Sequence, residues 1–239
     1  MLITVDRQQD DRRPNNQTDY QTNRWRLSFF RRSVYAVVDQ ALLSATNFFT
    51  MVLIARVLGP SAFGTFILAF TALLFVRSLQ ASLITQPHNV LGATINDQDY
   101  VRYTTSTALG QILFSSVSTM VTLVGAVACV RLAPDAAPLL FALSPAILAW
   151  QFQEFVRRVL YTEGRLGAAL SKDVISYGGQ LMTIIALWHT NTLTGPTAFY
   201  AVAATSGVGA IVGFWQLSRS ISFPTTLDAV HENWAFGKC

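Results

Sequence analysis

Two charged side chains stand inside long apolar runs near the start of this chain. Asp39 is the only charged residue between Val34 and Ala55, and Arg77 lies seventeen residues beyond Pro60. A lone carboxylate or guanidinium in hydrocarbon is costly, and far less so when it faces an opposite charge or a wet cavity. Counted from the Gly59-Pro60 turn the two reach similar depths, so Asp39 and Arg77 are expected to face each other or a wet cavity, and the pair is the first candidate for a functional site. Gln40, Ser44 and Asn47 recur at i, i+4 and i+7, with Thr46 and Thr50 on the adjoining strip, which makes one side of this first helix polar. Ser44, Thr46 and Thr50 are expected to knit helices together; Asp39 and Gln40 are candidates for function. A second polar cluster, Gln151, Gln153, Glu154, Arg157 and Arg158, closes a later apolar segment. Its i, i+3 and i, i+4 spacings favour local ion pairs of Glu154 with Arg157 or Arg158 over ligand contact.

The elements that must position these residues are helices long enough for a bilayer. About 20 apolar residues rising ~1.5 Å each cross a ~30 Å hydrocarbon core. Six such segments are expected, over 34–56, 62–84, 104–130, 137–161, 168–189 and 197–217. Pro87 is expected to end the second, because the residue before a proline leaves the helical region, with a solvated loop over 88–103. The third is rich in Ser and Thr and carries Gly110 and Gly125; the sixth carries Gly207, Gly209 and Gly213. Small residues of this kind permit close helix approach. Pro145 is expected to kink the fourth. The chain thus divides into a disordered basic tail (1–33), a six-helix bundle (34–220) and a short cytoplasmic linker or interfacial segment (221–239), within which 227–236 is a candidate surface helix.

Composition agrees with an all-α polytopic membrane protein. The chain has 239 residues, 51% of them apolar and 13% charged, with a mean hydropathy of +0.38, which does not suit a water-exposed surface. Seven of the seventeen Lys and Arg precede residue 33. With the N-terminus inside, fifteen basic residues fall on the cytoplasmic side and only Arg56 and Arg131 outside, so both termini are expected in the cytoplasm. A signal peptide is excluded by the length of the first apolar segment, by Asp39 and Gln40 within it, and by the lack of a small-residue cleavage site. The basic residues do not interleave with aromatics on one face, which argues against nucleic acid as a partner. Cys129 and Cys239 make neither a disulfide framework nor a metal motif. His88, His189 and His231 are far apart and near the expected membrane boundaries, where an amphipathic ring is common. No nucleophile motif, metal spacing or phosphate loop is present, so neither an enzyme nor a cofactor is expected. Polar groups at depth, small-residue seams and helix-bending prolines point instead to transport.

The stretch Asp39 to Phe70, DQALLSATNFFTMVLIARVLGPSAFGTFILAF, resembles the first hairpin of the O-antigen and exopolysaccharide flippases of the multidrug/oligosaccharidyl-lipid/polysaccharide exporter superfamily. The element A-R-x-L-G-P-x-x-F-G at 55–64 carries most of the likeness. FQEFVRRVLYTEGRLGAAL at 152–170 resembles that family's helix 4 to 5 loop, and HENWAFGK at 231–238 its approach to a second bundle, so the resemblance covers about 30–238. It implies one six-helix lobe of a two-lobe, alternating-access transporter in a bacterial inner membrane, moving a polyprenyl-linked oligosaccharide. It implies further that Arg77 meets the lipid phosphates, that Asp39 pairs with Arg77 or couples an ion, and that Gln40 and Asn47 contact sugar hydroxyls. The family has two lobes where this chain has six helices, so either a homodimer or a missing second lobe is expected. A cation-coupled multidrug exporter and a non-transporting scaffold for polysaccharide assembly are the alternatives. The tripeptide Arg-Val-Leu at 56–58 and 158–160, after helices running in opposite directions, is the expected trace of an inverted three-plus-three repeat.

Overall fold

The computed structural model describes residues 16–217. Six helices fill that stretch, with no strand among the described residues. They are α1 (Asn16–Val57), α2 (Pro60–Gly92), α3 (Asp97–Leu132), α4 (Ala137–Thr162), α5 (166–189) and α6 (Gly195–Leu217). Five of them, all but α5, are long and apolar enough to cross a membrane.

Each boundary has a local cause. Gly59 is extended (φ −63°, ψ 164°) and Pro60 occupies the first turn of α2, where its missing N–H costs nothing. Asn96 caps α3 by accepting the Asp99 N–H at 3.0 Å. After α4, Gly164 adopts φ 68° while the Arg165 N–H reaches back to the Leu160 carbonyl at 2.9 Å, a left-handed stop for which glycine is the natural residue. Thr194 opens α6 by exchanging hydrogen bonds with Thr197.

Two helices depart from the spacing expected of them. α1 begins at Asn16, upstream of the boundary at residue 33 that separates tail from bundle in the sequence reading, because extending an existing helix costs far less than nucleating one. α2 does not end at Pro87. Residues Ala81–Thr85 form a π-turn in which the Gln86 N–H bonds the Ala81 carbonyl, and the helix then continues over Gln86–Gly92. Pro87 lies in the first turn after this change of register, the one place in a helix where a lost donor is tolerated. The solvated loop expected over 88–103 is accordingly shorter, running only from Ala93 to Asn96. α5 holds a second π-turn, Val174–Gly178, between Leu166–Asp173 and Gly179–His189. The candidate surface helix at 227–236 and the motif at 231–238 lie outside the described residues.

α4 is the central helix and the most deeply buried of the five apolar spans. α6 packs along it most extensively, then α3, with α2 and α5 also against it; α1 lies mainly on α5 and makes little contact with α2. Gly213 on α6 is what permits that approach: a Cβ there would stand 2.3 Å from Val156 Cγ1 and 2.7 Å from Lys172 Cδ. Two apolar clusters result. One joins Ile54, Phe66, Leu73, Leu143, Ile147, Trp150, Ile184 and Phe199; the other joins Phe155, Val156, Val159, Leu160, Ala169 and Leu217 with Ile84 and Ala108.

Candidate functional site

Between those clusters α4 carries a polar layer, because Gln151, Gln153, Glu154 and Arg157 occupy successive turns in its C-terminal half and are all buried. Arg157 is its hub. Its Nε and Nη2 donate to one oxygen of Asp39 at 3.0 and 2.6 Å, and its Nη1 donates to Glu154 at 3.3 Å. Asp173 lies 3.2 Å from the same guanidinium, and Tyr161 covers it with its ring 5.5 Å away while donating its hydroxyl to Asp39. Arg158 is half exposed and donates to Glu154 at 2.8 Å. Lys172 is fully buried, pairs with its neighbour Asp173 and donates to the Gln153 carbonyl at 3.5 Å. Ser176, in the α5 π-turn, donates to Gln153 Oε1 at 2.8 Å. Three carboxylates, Asp39, Glu154 and Asp173, are thus met by Arg157, Lys172 and Arg158. Charges withdrawn from water persist where each is paired and hydrogen-bonded.

The expected pairing of Asp39 with Arg77 does not occur. Their depths do match, but α1 leans on α5 and α2 on α4, so the two side chains meet different neighbours. Asp39 turns to Arg157; Arg77, half buried, lays its guanidinium 5.4 Å above the Trp150 ring. Among the described residues no carboxylate lies within ion-pair distance of Arg77, in contrast to Arg157, Arg158 and Arg165. Arg77 lines a narrow cleft between α2 and α4, together with Leu73, Val76, Gln80, Trp150, Gln151 and Glu154.

Gln40 is exposed and donates to Ser44 at 3.5 Å, and Asn47 is half buried; neither lines this cleft. Thr46 and Thr50 knit α1 to α5, through the Tyr177 carbonyl at 3.4 Å and Gln180 at 3.5 Å. Glu154 makes both of the local ion pairs that its spacing suggested. His88 is not interfacial: it is wholly buried, stacked on Tyr103 at 5.5 Å and flanked by Tyr100 and Phe155. His189 is exposed, and His231 lies outside the described residues. Among the described residues no cluster of His, Cys, Asp and Glu could hold a metal ion.

Sequence reasoning alone did not single out Gln80, Trp150, Tyr161, Lys172, Asp173 or Tyr177 as members of the site. A signal was present for two of them. Gln80 follows Arg77 by three residues and Trp150 precedes Glu154 by four, which puts each on the same helical face as its partner.

No protein-family profile matches the chain, and no curated protein matches it. Among solved structures the chain is similar to a MOP superfamily transporter from Pyrococcus furiosus Vc1, described as having a binding pocket of reverse polarity that suggests a different function. The TM-score is 0.66 at 14% identity, over 88% of this chain and 51% of that one. The likeness identifies the fold as that of a polytopic, all-helical membrane protein, and the chain spans about half the length of the transporter it matches.

Proposed function

We propose that this chain is a lobe of an alternating-access transporter, not an enzyme, and that it carries a lipid-linked, phosphate-bearing oligosaccharide across the inner membrane, with both termini in the cytoplasm. The observation that carries the reading is Arg77. It is a guanidinium within a membrane-spanning helix, held over an indole in a cleft that it shares with Glu154, whose charge it feels without an ion pair within 4 Å among the described residues. A cation so placed is costly unless it serves an anion, and a phosphate is a natural ligand for it. The paired charges around Arg157 then act as a positioning layer beneath the cleft, holding α1, α4 and α5 together. Gln40 and Asn47, on the polar side of α1, are the proposed contacts for the glycan further from the phosphate. A facing lobe, either a second copy of this chain or another six-helix unit, closes the cavity.

The test is display of surface glycan in cells that depend on the full chain. Arg77→Ala abolishes display and Arg77→Lys retains part of it, at equal membrane levels; full display by the alanine variant removes Arg77 from the mechanism.

A cation-coupled exporter is the second reading, supported by the concentration of buried carboxylates at Asp39, Glu154 and Asp173. Uptake of a fluorescent cation into inverted vesicles, lost in Asp39→Asn, would favour it.

A further inference from the structure

Arg77 is seated by a ring and by no hydrogen-bond partner among the described residues: its guanidinium lies 5.4 Å above the Trp150 indole. Glu154, on the same cleft, is engaged by Arg157 at 3.3 Å and Arg158 at 2.8 Å and reaches Arg77 only through its field. A contact through the flat face of a guanidinium leaves its N–H edge uncommitted, and that edge is the fork that matches two oxygens of a phosphate. A carboxylate in the place of the ring would fill the fork.

The ring is itself held. Trp150 Nε1 donates to the Tyr177 hydroxyl at 3.4 Å, and both side chains are buried. An indole has one donor and no acceptor, so this bond is the one polar contact that can fix how the ring stands. Tyr177 comes from the π-turn Val174–Gly178 of α5, and its carbonyl accepts from Thr46 of α1 at 3.4 Å. Turns of this kind are rare and concentrate at functional sites. On the opposite side Gln80, one turn after Arg77, fixes the backbone of α2. Its Nε2 donates to the Gln151 carbonyl at 2.8 Å and to Gln111 Oε1 at 3.0 Å, and Gln111 Nε2 reaches Gln151 Oε1 at 3.4 Å. The helix that carries Arg77 is thus tied to α3 and α4, while the direction of the side chain is left to the ring.

We propose that Tyr177 is a positioning residue for the anion site: its hydroxyl fixes the Trp150 indole, and the indole aims the free edge of Arg77. The proposal rests on the reading of Arg77 as the phosphate contact and adds the residue that sets it. Tyr177 does not touch the ligand. Without its hydroxyl the Trp150 N–H is buried and unmatched, the ring turns, and the guanidinium loses its seat.

The experiment uses the full chain in nanodiscs and two probes, a short polyprenyl pyrophosphate and the corresponding prenyl alcohol. Tyr177→Phe is expected to bind the pyrophosphate about fivefold more weakly and the alcohol as the wild type does. Added to Arg77→Ala, or to Trp150→Phe, which keeps a ring and dispenses with the N–H, Tyr177→Phe is expected to weaken binding no further. Wild-type affinity for the pyrophosphate in Tyr177→Phe overturns the proposal, as does an equal loss for both probes or a loss that persists in the Arg77→Ala background. Each of these leaves Arg77 as the phosphate contact, provided that Arg77→Ala alone weakens binding of the pyrophosphate; if it does not, both readings fall. If Tyr177→Phe fails to fold, a high-resolution map of the wild type with the pyrophosphate bound decides. The proposal requires the indole N–H on the Tyr177 hydroxyl, the guanidinium on the ring and a phosphate on its edge; a guanidinium that binds phosphate away from the ring contradicts it.

Discussion

Arg157 on α4 and Asp39 on α1 are joined by two hydrogen bonds onto a single carboxylate oxygen, at 3.0 and 2.6 Å, across 118 residues of chain. Because α1 makes little contact with α2 and lies mainly on α5, this pair is the main polar tie between the first helix and the central one. Removing Arg157 leaves Asp39 without a cation in a dry interior, so Arg157→Leu is expected to destabilise the bundle by about 3–5 kcal/mol. Asp39→Leu leaves Arg157 its contacts with Glu154 and Asp173 and is expected to cost less, about 1–3 kcal/mol; the double variant costs clearly less than the two together. Thermal unfolding in detergent, read by intrinsic fluorescence over the four-variant cycle, measures the coupling; additive losses would show that the tie is not energetic.

Two glycines on different surfaces make a paired prediction. Gly213→Ala places a methyl group against Val156 and Lys172 and is expected to cost about 1–3 kcal/mol, partly restored by Val156→Ala. Gly64→Ala meets nothing within 4 Å and sits inside a helix, so it is expected to be neutral or to stabilise by up to about 1 kcal/mol. The same unfolding assay checks both, and equal effects at the two sites would contradict the packing described for α6 on α4.

His88 tests the distinction between a buried polar group with work to do and one without. Both ring nitrogens lack partners among the described residues, and its neighbours are the aromatic rings of Tyr100, Tyr103 and Phe155. His88→Phe keeps the stack and removes two unmatched polar atoms, so stability is expected to hold or rise by about 1 kcal/mol with transport unchanged. A loss of transport in a stable His88→Phe protein would show that the imidazole takes part.

The orientation is open to direct labelling in a background lacking Cys129 and Cys239. Asp135→Cys and Thr192→Cys lie at exposed turns on one end of the bundle, and Arg165→Cys lies at an exposed turn on the other. A membrane-impermeant maleimide added outside is expected to label the first two and spare the third. The reverse pattern would invert the topology drawn from the distribution of Lys and Arg.

The sequence carried the helices well and the partners poorly. The Gly59-Pro60 turn, the Gly164 stop and the span of α4 were legible because each depends on residues within one turn of chain. The Glu154 pairs with Arg157 and Arg158 were legible for the same reason. Asp39 could be recognised as a buried charge but not matched to Arg157, since helix order says nothing about which helix leans on which. Pro87 misled because a π-turn is set by tertiary packing and has no local signature. Lys172, near the start of the fifth segment, carries no local signal of burial; it packs against the space left by Gly213, 41 residues further along the chain. The glutamine network at Gln80, Gln111 and Gln151 was invisible for a related reason: three amides on three helices share no periodicity.

The most direct test of the account is translocation by the purified full chain in proteoliposomes. A fluorescent polyprenyl-pyrophosphate saccharide is placed in one leaflet, and its arrival in the other is followed by quenching. The account predicts transfer above that of empty vesicles, reduced at least about tenfold by Arg77→Ala and largely restored by Arg77→Lys. Transfer by Arg77→Ala at the wild-type rate, in a protein that unfolds at the wild-type temperature, would contradict it.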